Sequence, residues 1–504
     1  MEILYRSTRG GETGVPASRA ILNGLASDSG LYVPESMPQL DVQLKDLVGK
    51  PYTEIAYEVM SRFLTDFTEE ELRNCIKNAY DEKFDTPEIA PLRKTGENTY
   101  FLELFHGATI AFKDMALSIL PHLLTTAAKK NKVTDEIVIL TATSGDTGKA
   151  ALAGFADVPG TKIVVFYPKY GVSPVQEKQM VTQKGANTCV VGITGNFDDA
   201  QTAVKKMFAD HAMAEKLSEA GFRFSSANSI NIGRLVPQIA YYVWAYVKLL
   251  ENGTVSDGEQ INIVVPTGNF GNILAAYYAK EIGLPVHKLI CASNENKVLY
   301  DFFRTGKYDR RREFILTSSP SMDILISSNL ERLIYSILGN DAEACAGKMK
   351  SLREEGYYEI TEEQKDKLDA FCGYFCDMEE TKKAIASLYN KEKYVIDTHT
   401  AVAADVYGKY RAETADDRPV VIASTASPFK FTRSVIEALG SVVKLPDHTD
   451  ELDDFALADL LSEISGVSVP KAVEEIRTAP ILHNKVVDAV EMPQAVYDFL
   501  GISK

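Results

Sequence analysis

The chain has little cysteine and little histidine for its 504 residues, and neither is arranged to bind a metal or build a covalent scaffold. The six cysteines, Cys75, Cys189, Cys291, Cys345, Cys372 and Cys376, are scattered without a compact framework, which suits reduced thiols and excludes a disulfide-stapled fold. Cys372 and Cys376 stand one helical turn apart, but no histidine pair lies near enough in sequence to complete a zinc site. None of the seven histidines shows the H-E-x-x-H spacing, so no metal is expected. No stretch approaches the roughly 18 apolar residues of a membrane span, and MEILYRSTRGGETG lacks the apolar core of a secretory signal, so a cytoplasmic protein without a membrane partner is expected. Repeats, low-complexity tracts and long linkers are absent as well. The chain also lacks basic excess: 54 Lys and Arg face 70 Asp and Glu, a net charge of −16, which argues against nucleic acid as a partner. An anionic substrate must therefore meet a local cationic pocket. What the chain does have, 45% hydrophobic and 25% charged residues, is enough to bury large cores in two or three domains.

From about residue 135 short β-branched runs alternate with segments of helical period. IVILTAT (137–143), KIVVFYP (162–168), TCVVGIT (188–194), INIVVPT (261–267), KLICAS (288–293) and VVIAST (420–425) read as buried strands, with amphipathic stretches such as VQEKQMVTQKG and DDAQTAVKKMFADH between them. Strand, helix, strand in succession predicts parallel sheet with crossover helices, an α/β architecture whose ligands gather outside the carboxyl ends of the strands. Residues 1–95 read as a mixed α/β region. Residues 96–340 and 393–504 read as the α/β core in two subdomains, and the charged, helical-period segment 340–392 as a helical insertion.

Three loops stand where such sheets do chemistry. TSGDTGKA (143–150) suits a strand-to-helix turn presenting backbone N–H groups to a small anion. It fails as a nucleotide P-loop, because Thr143 stands where the first glycine should and Ala150 follows Lys149 where Ser or Thr is needed. PTGNFGN (266–272) can curl so that several N–H groups converge at a positive helix end, for which a phosphate dianion is the natural occupant. STASPFKF (424–431) offers hydroxyls at the top of the sheet, with Ser427 suited to cap the turn begun by Pro428. Ahead of the helix in SSANSINIGRLVPQ, Arg234 sits near a helix start, where a cation is unfavourable unless an anion or solvent meets it.

Lys113 closes the apolar run ATIAF and is followed by Asp114 and more apolar residues. Two readings stay open on local grounds. Either its stem packs on the core while its head reaches water or pairs with Asp114, or it is a desolvated amine of lowered basicity able to form a Schiff base with a carbonyl.

The stretches YRSTRGG, GLYVP, LELFHGATIAFKDMA, LTATSGDTG, SSANSINIGRLVPQ, VPTGNFGN, SMDILISSNLER, DTHTA and STASPFKF, in this order from Tyr5 to Phe431, closely resemble the longer bacterial and fungal type of threonine synthase. The resemblance implies a pyridoxal 5′-phosphate enzyme of the tryptophan-synthase-β fold type, with two open, mostly parallel sheets flanked by helices, a small N-terminal region and a helical insertion. It implies conversion of O-phospho-L-homoserine and water to L-threonine and phosphate by γ-elimination and β-addition, in a monomer or homodimer. Carried over residue by residue, Lys113 holds the cofactor and acts as the base. Gly268, Asn269, Phe270, Gly271 and Asn272 cradle its phosphate, and Thr425 meets its pyridine nitrogen. Ser144, Asp146 and Thr147 hold the substrate carboxylate; Asn228, Ser229 and Arg234 hold the substrate phosphate. Two departures stand out: Ser427 replaces the histidine usual before the proline, and Ala108 stands where proline is frequent. The alternatives within this chemistry are a phospho-lyase acting on phosphorylated hydroxyamino acids and a catalytically silent amino-acid-binding homologue.

Overall fold

The computed structural model describes residues 2–143, 145–172 and 174–503. All six β-branched runs form strands, because each is apolar on both faces and can be covered by helices on both sides. They divide between two sheets. The larger has the order Phe371–Phe375, Val286–Ser293, Ile261–Pro266, Val420–Ser424, Thr99–Glu103, Leu92–Thr95. Its pairs are parallel except the last, where Leu92–Thr95 returns antiparallel along Thr99–Glu103. The smaller has the order Val486–Val487, Thr188–Ile193, Thr161–Pro168, Glu136–Ala142, Phe222–Ser225 and is parallel throughout. The α/β expectation of two open, mostly parallel sheets flanked by helices therefore holds.

Two sequence boundaries need revising. The segment 340–392 does carry the helices Ala342–Glu354, Glu362–Asp366 and Met378–Glu392, but it also supplies Phe371–Phe375, the parallel edge strand beside Val286–Ser293. Its FCGYF sequence is too short and too aromatic to show a strand's alternation, and the charged helices around it mask the signal. At the other end of the same sheet, Leu92–Thr95 belongs to the core although it lies within residues 1–95.

The longest helix, Ile232–Glu251, is buried nearly all round and packs on Tyr52–Phe63 and Gly271–Glu281. It joins the N-terminal region to the larger sheet, and places Arg234 in its first turn. Among the described residues no helix is long and apolar enough to cross a membrane.

The chain leaving Thr99–Glu103 is steered toward Lys113 by His106. Its Nδ1 lies 2.6 Å from Asp85 Oδ1 and its Nε2 3.0 Å from Glu103 Oε2. Burial opposes a charge there, but the two carboxylates outweigh it and raise the imidazole to about 9. The folded state thus binds this proton more tightly than the unfolded chain, whose histidine titrates near 6.5. The resulting stability is fully present below pH ~6.5 and lost as pH rises through ~9. Because Asp85 is largely exposed and its charge screened, the contribution is on the order of 2 kcal/mol. Urea unfolding from pH 6 to 9.5 is expected to show His106→Gln losing most of its deficit relative to the parent at the alkaline end; a constant deficit would refute the charged-histidine account.

Candidate active site

All of the chemistry-bearing loops leave the carboxyl ends of parallel strands, where backbone groups no longer paired in the sheet are free to face a ligand. The loop after Thr99–Glu103 carries Lys113 and is tied to the loop after Val420–Ser424. Phe112 N donates to Thr425 O at 2.8 Å, Ser427 N donates to Ile110 O at 3.0 Å, and Ala111 bridges Ala426. Ile110 is held at φ 53, a left-handed conformation costly for a β-branched residue, so these bonds fix a strained turn. Lys113 and buried Thr425 are positioned together as a result. Ser427 caps the following turn by accepting from Phe429 N, so the residue standing in place of the usual histidine has a structural task.

The Lys113 amine does not pair with Asp114. That buried carboxylate turns back to accept from Thr109 N at 2.8 Å and Thr109 Oγ1 at 2.6 Å. Instead Lys113 Nζ donates to Ser321 Oγ at 3.1 Å and lies 3.6 Å from Asp146 Oδ2. Its side chain is only 11% exposed, and burial pushes the amine below the usual lysine range despite the pull of Asp146. Of the two local readings of Lys113, the geometry favours the desolvated amine.

Asp146 opens the helix Asp146–Phe155 after the smaller sheet's strand Glu136–Ala142. The turn before it is shaped by Thr143 Oγ1, which accepts from Gly145 N and Gly148 N. Gly145, at φ 136, has no room for a Cβ beside Gln176, whose Nε2 donates to Asp146 Oδ1 at 3.0 Å. Lys430 Nζ, fully buried, reaches the same oxygen at 3.2 Å. Burial alone would raise this carboxyl, but Lys430 and Lys113 hold it well below the usual carboxylate range. Thr147 follows in the same first turn, while Ser144 lies outside the described residues.

The third loop leads from Ile261–Pro266 into the helix Gly271–Glu281. Phe270 adopts φ 65 at the helix start and is anchored by its ring against Phe303 and Phe371. The backbone N–H groups of Gly268, Asn269, Phe270, Gly271 and Asn272 find no acceptor among the described residues. A Cβ on Gly268 would lie 2.5 Å from Ser321 O, so the loop approaches Ser321 as closely as only glycine permits. Asn272 is buried with its Oδ1 accepting from Tyr241 and Tyr242, which leaves its Nδ2 without a partner.

Arg234 is a second unclaimed donor. It is buried, its Nη1 donates to Ala227 O at 2.9 Å, and its Nε has no partner. No carboxylate pairs with it among the described residues, and burial pushes the guanidinium down to about 10. Ser229 is partly exposed and accepts from Asn329 Nδ2 at 3.4 Å, whereas Asn228 is exposed. Asn329 also donates to Asn269 O through both its N and its Nδ2, which stitches the Ser229 segment to the glycine loop.

Sequence reasoning missed the residues that join these parts. Ser321 touches Lys113 and Asp146 through its hydroxyl, and its amide donates to His399 Nε2 at 3.2 Å. His399 Nδ1 in turn lies 2.7 Å from buried Asp397, which fixes the tautomer with the proton on Nδ1. The signals were available in SMDI and DTHTA, but nothing local to either stretch says what it meets.

Because Arg234 is buried without a counter-charge, its replacement by a neutral chain of similar length removes a penalty. Arg234→Met is expected to raise the stability of the ligand-free chain by about 1 kcal/mol while abolishing the protection that added phosphate gives the parent. Thermal unfolding with and without inorganic phosphate checks both halves, and a destabilised variant would count against an anion site.

Three family models cover the chain in order: "Threonine synthase N terminus" over residues 4–80, "Pyridoxal-phosphate dependent enzyme" over 84–425, and "Threonine synthase, C-terminal" over 400–457. The human threonine synthase-like 1 is 41% identical over 434 residues, covering 84% of this chain and 58% of that protein, so the chain spans little more than half of that relative's length. Threonine synthase of Schizosaccharomyces pombe is 36% identical over 471 residues, 87% of this chain and 90% of its own. Among solved structures, the pyridoxal-phosphate-bound threonine synthase from Brucella melitensis superposes with a TM-score of 0.84 at 34% identity, covering 99% of both chains. The chain therefore belongs to the threonine synthase family of pyridoxal-phosphate-dependent enzymes, and pyridoxal 5′-phosphate is its cofactor.

Proposed function

We propose that the protein is a threonine synthase, a cytoplasmic lyase that converts O-phospho-L-homoserine and water into L-threonine and inorganic phosphate. One observation carries the reading. A buried amine, Lys113, hydrogen-bonded to a neutral hydroxyl, lies in a site lined by two sets of unclaimed anion donors, the amides of residues 268–272 with Asn272 Nδ2 and the guanidinium of Arg234. One set suits the cofactor's phosphate and the other the phosphate of a substrate. The six cysteines are free, which supports a reducing compartment.

The residues present fit pyridoxal phosphate. Unsatisfied amides at a helix start suit a phosphate dianion, and the Lys113 amine meets a hydroxyl more closely than a carboxylate. In the proposed arrangement Lys113 holds the cofactor, Gly268 to Asn272 cradle its phosphate, and Thr425 faces its pyridine nitrogen. The cofactor supplies an electron sink that stabilises negative charge developing on the substrate. A hydroxyl at Thr425, unlike a carboxylate, leaves that nitrogen free of any requirement to be protonated.

The chain's own groups do the rest. Lys113 Nζ takes and returns protons at Cα, Cβ and Cγ of the substrate, and its lowered basicity keeps a neutral fraction available for the task. Asp146, ionised and flanked by the helix N-terminus that carries Thr147, orients the amine through Ser321. Arg234, with Ser229 and Asn228, grips the phosphate that leaves from Cγ, and the buried floor around them excludes water until the addition at Cβ. A second reading within the same chemistry is a lyase that releases 2-oxobutyrate instead; the 41% identical human relative is named threonine synthase-like 1, not threonine synthase.

Incubation of the loaded enzyme with O-phosphohomoserine, following phosphate, threonine and 2-oxobutyrate together, separates the two. Equal release of phosphate and threonine is expected. Phosphate matched by 2-oxobutyrate would replace this function with the second reading. Lys113→Ala is expected to lower turnover roughly a thousandfold or more, and hydride reduction of the parent should place the cofactor's mass on the Lys113 peptide.

A further inference from the structure

The buried charges around Lys113 are distributed unevenly between the two oxygens of Asp146. Oδ1 accepts from Gln176 Nε2 at 3.0 Å and faces Lys430 Nζ at 3.2 Å; Oδ2 accepts from Ser321 Oγ at 3.1 Å and lies 3.6 Å from Lys113 Nζ. Lys430 is fully buried and donates also to Thr109 O at 2.9 Å, a carbonyl in the turn that precedes Lys113. It is thus braced by one loop of the larger sheet while it pulls on a carboxylate from the smaller one. Nothing in the family reading of the site gives Lys430 a task.

We propose that Lys430 is a positioning residue for proton transfer by Lys113, holding Asp146 turned toward itself so that the carboxylate reaches the Lys113 amine chiefly through Ser321. A lysine serves here because only a long, buried cation can satisfy one oxygen of Asp146 and leave the other half-committed. Without it, Asp146 is free to close on Lys113 as a contact ion pair, which would fix the proton on the amine. The other groups facing Lys113 do not substitute for this control. Asp114 is committed to Thr109, Arg234 is a second cation, and the Phe112 ring lies 5.6 Å from Nζ. Lys149, on the helix that Asp146 opens, and Asp114, beside Lys113, face Lys430, and His399 faces Asp146; none of the three pairs with the Lys113 amine.

The inference rests on Lys113 being the cofactor-bearing lysine, and its test avoids turnover. The full chain, loaded with pyridoxal phosphate, is titrated from neutral to alkaline pH while the visible band of the bound cofactor is followed. The same chain stripped of cofactor is labelled competitively with acetic anhydride, and Lys113 is quantified by mass spectrometry against exposed Lys471. Lys430→Met is expected to move both midpoints upward by about one unit, seen as roughly tenfold less Lys113 labelling at neutral pH. Lys430→Arg, which keeps the charge, is expected to restore the parental profile, and Asp146→Asn to move the midpoints downward. Unchanged midpoints in Lys430→Met, or an arginine variant that shifts as far as the methionine one, overturn the proposal. If Lys430→Met does not fold, an unmoved midpoint in Asp146→Asn has the same force. An absence of threonine formation in the parent would sink the proposed function and leave these titrations readable.

Discussion

The carboxylate of Asp146, shared by two buried ammonium groups, is the interaction on which the site depends. Asp146 comes from the loop after Glu136–Ala142 in the smaller sheet; Lys113 and Lys430 come from loops of the larger one. The bridge therefore registers one sheet's functional edge against the other's. Buried ion pairs add little net stability, because desolvation offsets most of the attraction, but breaking one strands a charge at a cost of about 3–5 kcal/mol. Such a bridge is better suited to fixing geometry than to holding the fold together, a task the three large apolar clusters already perform. Ser321 repeats the same logic with a neutral group. It touches the lysine, the carboxylate, His399 and the glycine loop at once, so a shift in any of them is felt by all.

Charge balance explains why an acidic chain carries this site. The protein bears a net −16, yet its buried centre holds Lys113, Lys430 and Arg234 against Asp146 and a committed Asp114. Left alone, that surplus of cation is a standing cost in a low-dielectric interior. Phosphate groups reverse it, so binding should stabilise the chain far more than the buried area of a small ligand would. Burial depresses the basicity of Lys113 against the pull of Asp146, and Lys430 and Arg234 add to the effect, so the groups proposed to meet anions also help keep a base available.

Much of this was legible in the sequence, and the limit has a physical cause. Strands such as IVILTAT and INIVVPT announced themselves because both faces are buried, and the loops after them showed their glycines, because a tight approach to an anion or a neighbouring chain leaves no alternative residue. Lys113 was marked by its apolar surroundings. By contrast Phe371–Phe375 was hidden, being a five-residue edge strand between charged helices. Ser321, His399 and Lys430 were hidden for another reason: each acts through a partner 78 to 321 positions away, as Lys113 does through Ser321 across 208. Local pattern reports burial and turn chemistry, whereas these residues are defined by what the fold brings to them.

Two buried arginines show how the structure separates support from recognition. Arg332 is fully buried, and its guanidinium is satisfied: Nε donates to Tyr32 O at 2.9 Å, Nη2 to Ile230 O at 2.6 Å, and Nη1 to Asn329 Oδ1. It is flanked by Glu331, which Arg9 and Thr8 grip from the N-terminal region. Every donor spent on protein is a donor unavailable to a ligand, so Arg332 clamps the N-terminal region, the Ser229 segment and the glycine loop into one assembly. Arg234, also buried, has one carbonyl and an orphaned Nε. A buried cation costs several kcal/mol unless it is paired or hydrogen-bonded; the protein's own carbonyls do this for Arg332 and leave Arg234 incomplete. The contrast between these two arginines, alike in charge and burial, supports the proposed role of Arg234 at an anion, with Arg332 holding its neighbours in place around it.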